Sequence, residues 1–123
     1  MCEQERAARG ARGEALAAVY YERGGYRVLE RNFRTRQGEI DVIAEKENTL
    51  VFAEVKTRTE RAIAQPREFV TPQKQRRLIL AARRYLLLHP QWAECFLRFD
   101  VVEVVLPGQG RPLLRCIKNA FTL

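Results

Sequence analysis

Between Glu39 and Thr57 apolar and polar residues alternate on either side of a short polar break, a pattern that dictates an antiparallel hairpin. Ile40, Val42 and Ala44 share one phase of the first half, and Val51, Ala53 and Val55 share one phase of the second. Glu47-Asn48 supplies the turn between them. With those two residues as the loop, Asp41 falls opposite Glu54 and Glu39 falls opposite Lys56. Two carboxylates directly across a ladder have Cβ atoms about 4.5 to 5.5 Å apart and repel each other unless a cation lies between them.

The rest of the chain supplies elements for that hairpin to join. Glu3 to Gly24 reads as a helix with Leu16, Val19 and Tyr20 on one stripe, stopped by Gly24-Gly25. Tyr26 to Arg36 reads as a strand, with a turn at Gln37-Gly38 leading into Glu39 to Lys46, and Leu50 to Thr57 completes a three-strand meander. Arg58 to Val70 has no period and contains Pro66, so a surface loop is expected there. Thr71 then caps a helix with proline at its first position, running to His89 before Pro90. Phe96 to Leu106 and Leu113 to Lys118 read as strands separated by Pro107-Gly108-Gln109-Gly110. The expected order is αβββαββ: an α/β fold with a mixed central sheet and flanking helices. At 123 residues the chain fits a single domain over 1–123.

Hard oxygen ligands in such a pair suit Mg²⁺ or Mn²⁺, which one or two carboxylates hold together with waters and substrate phosphate. Asp41 and Glu54 are the expected ligands. Lys56 shares the face of Glu54 and is placed to orient a nucleophile or to neutralise developing phosphoryl charge. Of the 22 basic residues 18 are arginine, yet position 56 is lysine. Glu14 is the other acid that stands out, because Gly10, Ala11, Ala17, Ala18 and Tyr21 around it on the helix are small or apolar. A carboxylate turned inward either completes the acidic cluster or pairs with an arginine.

The net charge of +7 favours a polyanionic partner. On the second helix Lys74, Arg77 and Arg84 share a face with Arg76 and Arg83 beside it, either a ridge for nucleic-acid phosphates or a solvated surface. Gln73 and Lys74 lie in that helix's first turn, where a phosphate is attracted. His89, at the helix end, reads as a cap or packing residue. The chain has no serine, no glycine-rich phosphate loop, and three cysteines without zinc or redox spacing, which argues against triad hydrolysis, nucleotide cradling and a zinc ribbon. Glu3, Glu5, Arg6 and Arg9 interrupt the N-terminal residues, and no apolar run reaches membrane-spanning length; a cytoplasmic location with no membrane partner is expected.

Five segments together resemble the YraN-like family of small bacterial proteins, which is related to Holliday junction resolvases: Gly13-Glu14, Gly38-Glu39-Ile40-Asp41, Val51 through Arg58, Lys74 through Leu78, and Arg98 through Val102. The resemblance implies a restriction-endonuclease-like core of the PD-(D/E)xK type, with Glu14, Asp41 and Glu54 as metal-site acids, Lys56 as the motif lysine, and Gln73 and Lys74 as an auxiliary pair. Ile40 stands where that motif has proline. The implied activity is Mg²⁺- or Mn²⁺-dependent hydrolysis of DNA phosphodiesters, branched DNA included and RNA left open, with a homodimer suited to a two-fold junction. The rival reading is a nucleic-acid-binding module of the same fold without chemistry of its own.

Overall fold

The computed structural model describes residues 2–59 and 70–121. Helix α1 (Glu3–Arg23) precedes β1 (Arg27–Arg34), β2 (Glu39–Lys46) and β3 (Thr49–Arg58); α2 (Pro72–Leu88) and a single 3₁₀ turn (Pro90–Trp92) lead into β4 (Phe96–Val105) and β5 (Leu113–Phe121). The order is the expected αβββαββ. The five strands form one sheet in the order β1-β2-β3-β4-β5, with β3 and β4 parallel and every other neighbouring pair antiparallel. A parallel pair needs a crossover, and α2 lies within it. The expected loop from Arg58 to Val70 falls, over residues 60–69, outside the described residues. The 3₁₀ turn was not legible in the sequence, and β5 runs three residues past its expected end at Lys118.

Local chemistry explains both helices. Thr71 accepts a hydrogen bond from the Lys74 N–H at 3.3 Å with Pro72 at the first helical position, as expected. At the end of α1, Lys46 Nζ donates to the Gly24 carbonyl at 2.7 Å, a cation placed on the negative end of the helix dipole. Glu47 and Asn48 both take positive φ, 48° and 64°, the two-residue hairpin turn whose twist suits the flanking strands. That turn fixes the register: Lys46 faces Thr49 and Val42 faces Ala53.

Each helix covers one face of the sheet. Ala17 and Tyr21 of α1 pack with Val42, Ala44, Val51, Ala53, Val102 and Val104. Leu78, Ala81, Ala82 and Tyr85 of α2 pack with Ile43, Leu50, Phe52, Phe99 and Val101. Strict alternation would send Ile40 to the α1 side with Val42, yet Ile40 packs with Ile43 on the α2 side. The phase of β2 therefore changes at Asp41. Asn32 faces that point on β1, between the pairs Arg31–Val42 and Phe33–Ile40, and takes φ 55°, a conformation asparagine tolerates better than most residues.

A second polar centre sits on the α1 side. The Asp100 carboxylate is 1% exposed and accepts from Tyr21 OH (2.8 Å), Arg98 Nε and Nη2 (2.9 and 3.0 Å) and the Asn119 N–H (3.0 Å). Arg98 Nη2 also donates to Tyr26 OH at 2.9 Å. Burial and Asp100 together raise the Tyr21 phenol well above its ordinary range, so it remains a donor. This cluster ties α1, β4 and β5 together. Because removing one member of a buried pair strands its partner's charge, Asp100→Ala is expected to cost about 3 to 5 kcal/mol in urea unfolding; a loss below about 1 kcal/mol would show that the cluster is not holding the helix.

Candidate functional site

The β2–β3 ladder stops at Val42 and Ala53, one residue short of Asp41 and Glu54. Sequence reasoning places these acids directly opposite each other; the register of the structure points them to the same opposed positions, but the paired ladder ends before it reaches them. Asp41 Oδ2 instead accepts the Val55 N–H at 2.7 Å, filling the gap in the ladder with a carboxylate. The same departure removes the expected cross-strand pairing of Glu39 with Lys56. Glu39 is exposed and pairs with Arg34 at 3.4 Å, within its own hairpin. The phase change in β2 and the positive φ at Asn32 are the local devices that position Asp41 here.

Asp41 is 9% exposed. Burial raises its pKa most, the Val55 N–H opposes the rise, and the carboxylates of Glu54, Glu14 and Glu39 add to it, so that the group is pushed up to about 7. Lys56 Nζ lies 3.1 Å from Glu54 Oε1, with both side chains largely covered. Burial pulls Lys56 down, but its hydrogen bond with Lys74 and the Glu54 carboxylate outweigh it and hold the ammonium above its ordinary value. Lys74 is lowered, first by the hydrogen bond to Lys56 and then by burial. Lys74 thus comes from the first turn of α2 to the head group of Lys56.

Two glycines set the distances between elements. Gly13 packs against Thr57 of β3 so closely that a Cβ there would collide with the threonine hydroxyl, which brings the next residue, Glu14, beside the strand. A Cβ on Gly38 would lie 2.5 Å from the Arg77 carbonyl, which locks the β1–β2 connection onto α2 just before Glu39. Glu14 is half-buried and, among the described residues, makes no ion pair with an arginine. Its charge reaches Asp41. Arg76, Arg77, Arg83 and Arg84 are all exposed on α2, as is Gln73. His89 stacks on Tyr85 with ring centroids 4.2 Å apart, a packing role.

Sequence reasoning missed Glu103. It is buried on β4 beside Lys56 in register, with Oε1 3.1 Å from Arg115 and Oε2 3.3 Å from Arg58. The only signal for it is a charge interrupting the apolar run Val101 to Leu106. It was equally silent on Asp100, whose motif it noted without assigning a role.

The donors present are two hard carboxylates, Asp41 and Glu54, beside a lysine; among the described residues no three His, Cys, Asp or Glu side chains are gathered as a metal cage. A pair of carboxylates fits a hydrated Mg²⁺ or Mn²⁺ completed by water and phosphate, and does not fit a closed structural zinc site. Residues 13–104 match the model of "Uncharacterised protein family UPF0102". The chain belongs to that family. A UPF0102 protein of Geobacter metallireducens is 46% identical over 114 residues, covering 93% of this chain and 92% of that one. A relative in Symbiobacterium thermophilum is 49% identical over 113 residues, covering 91% and 94%, and one in Clostridium botulinum is 41% identical over 115 residues, covering 93% and 94%. The family match begins at Gly13 and so includes all four acids that act on one another at this site, Glu14, Glu39, Asp41 and Glu54. Among the described residues, no helix is long and apolar enough to cross a membrane.

The raised pKa of Asp41 has a consequence for stability. An unfolded Asp titrates near 3.8 and the folded one near 7, so ionisation is harder in the fold. The resulting penalty is absent well below pH 3.8, grows as pH rises and is complete above about 7. In EDTA at pH 8, Asp41→Asn is expected to stabilise the protein by about 2 to 4 kcal/mol, an advantage that shrinks below about 1 kcal/mol by pH 4. Thermal melts at the two pH values check this; equal stability at pH 8 would show that the carboxylate is not under strain.

Proposed function

We propose that the protein is a Mg²⁺- or Mn²⁺-dependent endonuclease acting on DNA, with branched or otherwise structured DNA the favoured substrate. The observation that carries this reading is a buried carboxylate, Asp41, held at a break in the ladder among other acids and beside the Glu54–Lys56 pair. Such a cluster is destabilising for a bare fold and useful for holding a cation. Asp41 and Glu54 would hold the metal, with Glu14 adding negative charge from α1. The cation supplies Lewis-acid activation of the phosphodiester and of water.

The chain's own residues do the remaining work. The Val55 N–H fixes the rotamer of Asp41, so one ligand is oriented before any metal arrives. Lys56 keeps its proton, through Lys74 and Glu54, and so presents a positive charge to a phosphate on this face. Lys74 reaches the Lys56 head group from α2 and lines the same cleft as Glu54, so it would add a second cation beside a bound phosphate. Exposed Arg77 and Arg84 of α2 and the +7 net charge attract the polyanion. The position of the acids on a single small domain also suits a homodimer, in which two sites address two strands of a symmetric junction.

A binding module without chemistry is the second reading, favoured by the absence of a three-donor cluster among the described residues. Incubating labelled single-stranded, duplex, flap and four-way-junction DNA with Mn²⁺, Mg²⁺ or EDTA separates the two. The nuclease reading expects metal-dependent cutting that falls by at least about 10²-fold in Asp41→Ala, Glu54→Ala and Lys56→Ala, roughly what one electrostatic contact to the transition state contributes. Binding of any of these DNAs without cutting under either metal would leave the module.

A further inference from the structure

The connection between β1 and β2 is a built element. Thr35 N–H donates to the Gly38 carbonyl at 2.8 Å, and the Thr35 hydroxyl donates to the same carbonyl while accepting the N–H groups of Gln37 and Gly38 at 3.1 and 3.0 Å. Gly38 closes onto the Arg77 carbonyl, so the tip is fixed against α2. Two clefts open between this tip and the helix. The first, about 590 Å³, holds Glu39 and Glu54 together with Arg34, Arg36, Lys74 and Arg77. The second, about 450 Å³, shares Arg34 and Arg36 with the first and adds Arg84, Phe33 and Leu88, with no acid on its walls.

Charge therefore changes along a single path. Near Glu54 the walls are mixed, as a cation and a phosphate together require; beyond Arg36 they are purely basic. Arg77 and Arg84 lie seven residues apart on one stripe of α2, whereas Arg76 and Arg83 line neither cleft. The sequence-level ridge thus divides into a stripe that faces the hairpin tip and one that does not. The clefts are of a size that encloses a ligand of one or two nucleotides, and Phe33 is buried, so the walls offer charge to a backbone without an exposed ring for stacking.

We infer that the cleft between the Thr35–Gly38 tip and α2 is the track for one unpaired strand of nucleic acid, running from the Asp41–Glu54 site past Arg36 to Arg84, held by its phosphates and without regard to sequence. The inference rests on the nuclease reading for the identity of the polyanion, and it narrows the substrate to DNA with a single-stranded segment at the cleavage point. It makes Arg34, Arg36 and Arg84 binding residues; among the described residues none of them pairs with Glu14, Asp41 or Glu54, and Arg34 pairs with Glu39.

The test is fluorescence anisotropy of a labelled 20-nucleotide single strand and of its blunt duplex, in EDTA, across a salt series. Wild type is compared with Arg34→Ala/Arg36→Ala, Arg84→Ala and, as a control for net charge, Arg76→Ala/Arg83→Ala; melts confirm that each variant is folded. Wild type is expected to prefer the single strand, and the tip double variant to bind it about tenfold more weakly with a salt slope shallower by about 1.4, since each lost phosphate contact removes about 0.7. Arg84→Ala lowers the slope by about half as much, and the control leaves the preference intact. A duplex preference in wild type, an unchanged slope in the tip variant, or an equal loss in the control would overturn the track. If no DNA is cut under either metal yet the tip pattern appears, the nuclease reading fails and the track stands; if DNA is cut normally by the tip variant, the track fails alone.

Discussion

The hydrogen bond from the Val55 N–H to Asp41 Oδ2 is the constraint around which the site is arranged. A backbone donor at a strand position normally meets a carbonyl across the ladder; here a carboxylate takes its place, and the two strands part. That exchange removes Asp41 from solvent while, among the described residues, no hydrogen bond engages its other oxygen. Asp41 is nonetheless costly to ionise, because burial and three neighbouring carboxylates outweigh the hydrogen bond from Val55. The fold accepts this cost because the surrounding hairpin is fixed elsewhere, by the Glu47-Asn48 turn at one end and by the contact of Gly38 with α2 at the other.

The two faces of the sheet carry contrasting polar centres. On the α1 side Asp100 is satisfied by a tyrosine, an arginine and a backbone N–H, so a buried charge becomes a clamp. Among the described residues, Asp41, Glu14 and Glu54 pair with no arginine. Glu103 falls between these cases, bracketed by Arg58 and Arg115 next to Lys56. A chain with 22 basic residues could readily have neutralised the acids near Asp41, and among the described residues it pairs them only with Lys56 and, at the rim, Arg34.

Much of this was legible beforehand, for identifiable reasons. The alternation on both sides of Glu47-Asn48 fixed the hairpin and its register, because a two-residue turn leaves no freedom of pairing. Thr71-Pro72 announced α2, and Gly24-Gly25 the end of α1. What escaped was whatever departs from periodicity. The phase change at Asp41 is invisible in a pattern that reads as regular alternation, and Asn32 opposite it looks like any polar strand residue. The Thr35–Gly38 tip read as the end of a strand and a turn at Gln37-Gly38, and nothing in the pattern showed that the Thr35 hydroxyl closes that turn on itself. Glu103 and Asp100 lay in a strand whose apolar majority hid them, since their partners come from Arg58, Arg115, Tyr21 and Asn119, far away in sequence.

Both outer strands share a trait that reaches beyond the site. β1 shifts register between Val28 and Glu30 and carries Asn32 at φ 55°; β5 meets a register shift between Phe99 and Val101 on β4 and carries Asn119 at φ 53°. Each edge is thus broken by the same pair of devices and decorated with charge, Arg27 and Arg31 on one, Arg115 and Lys118 on the other. A flat row of unpaired N–H and C=O groups invites a further strand, and kinked, charged rows refuse it. The sheet is therefore closed to growth at both margins, which keeps an open five-stranded sheet from templating its own aggregation.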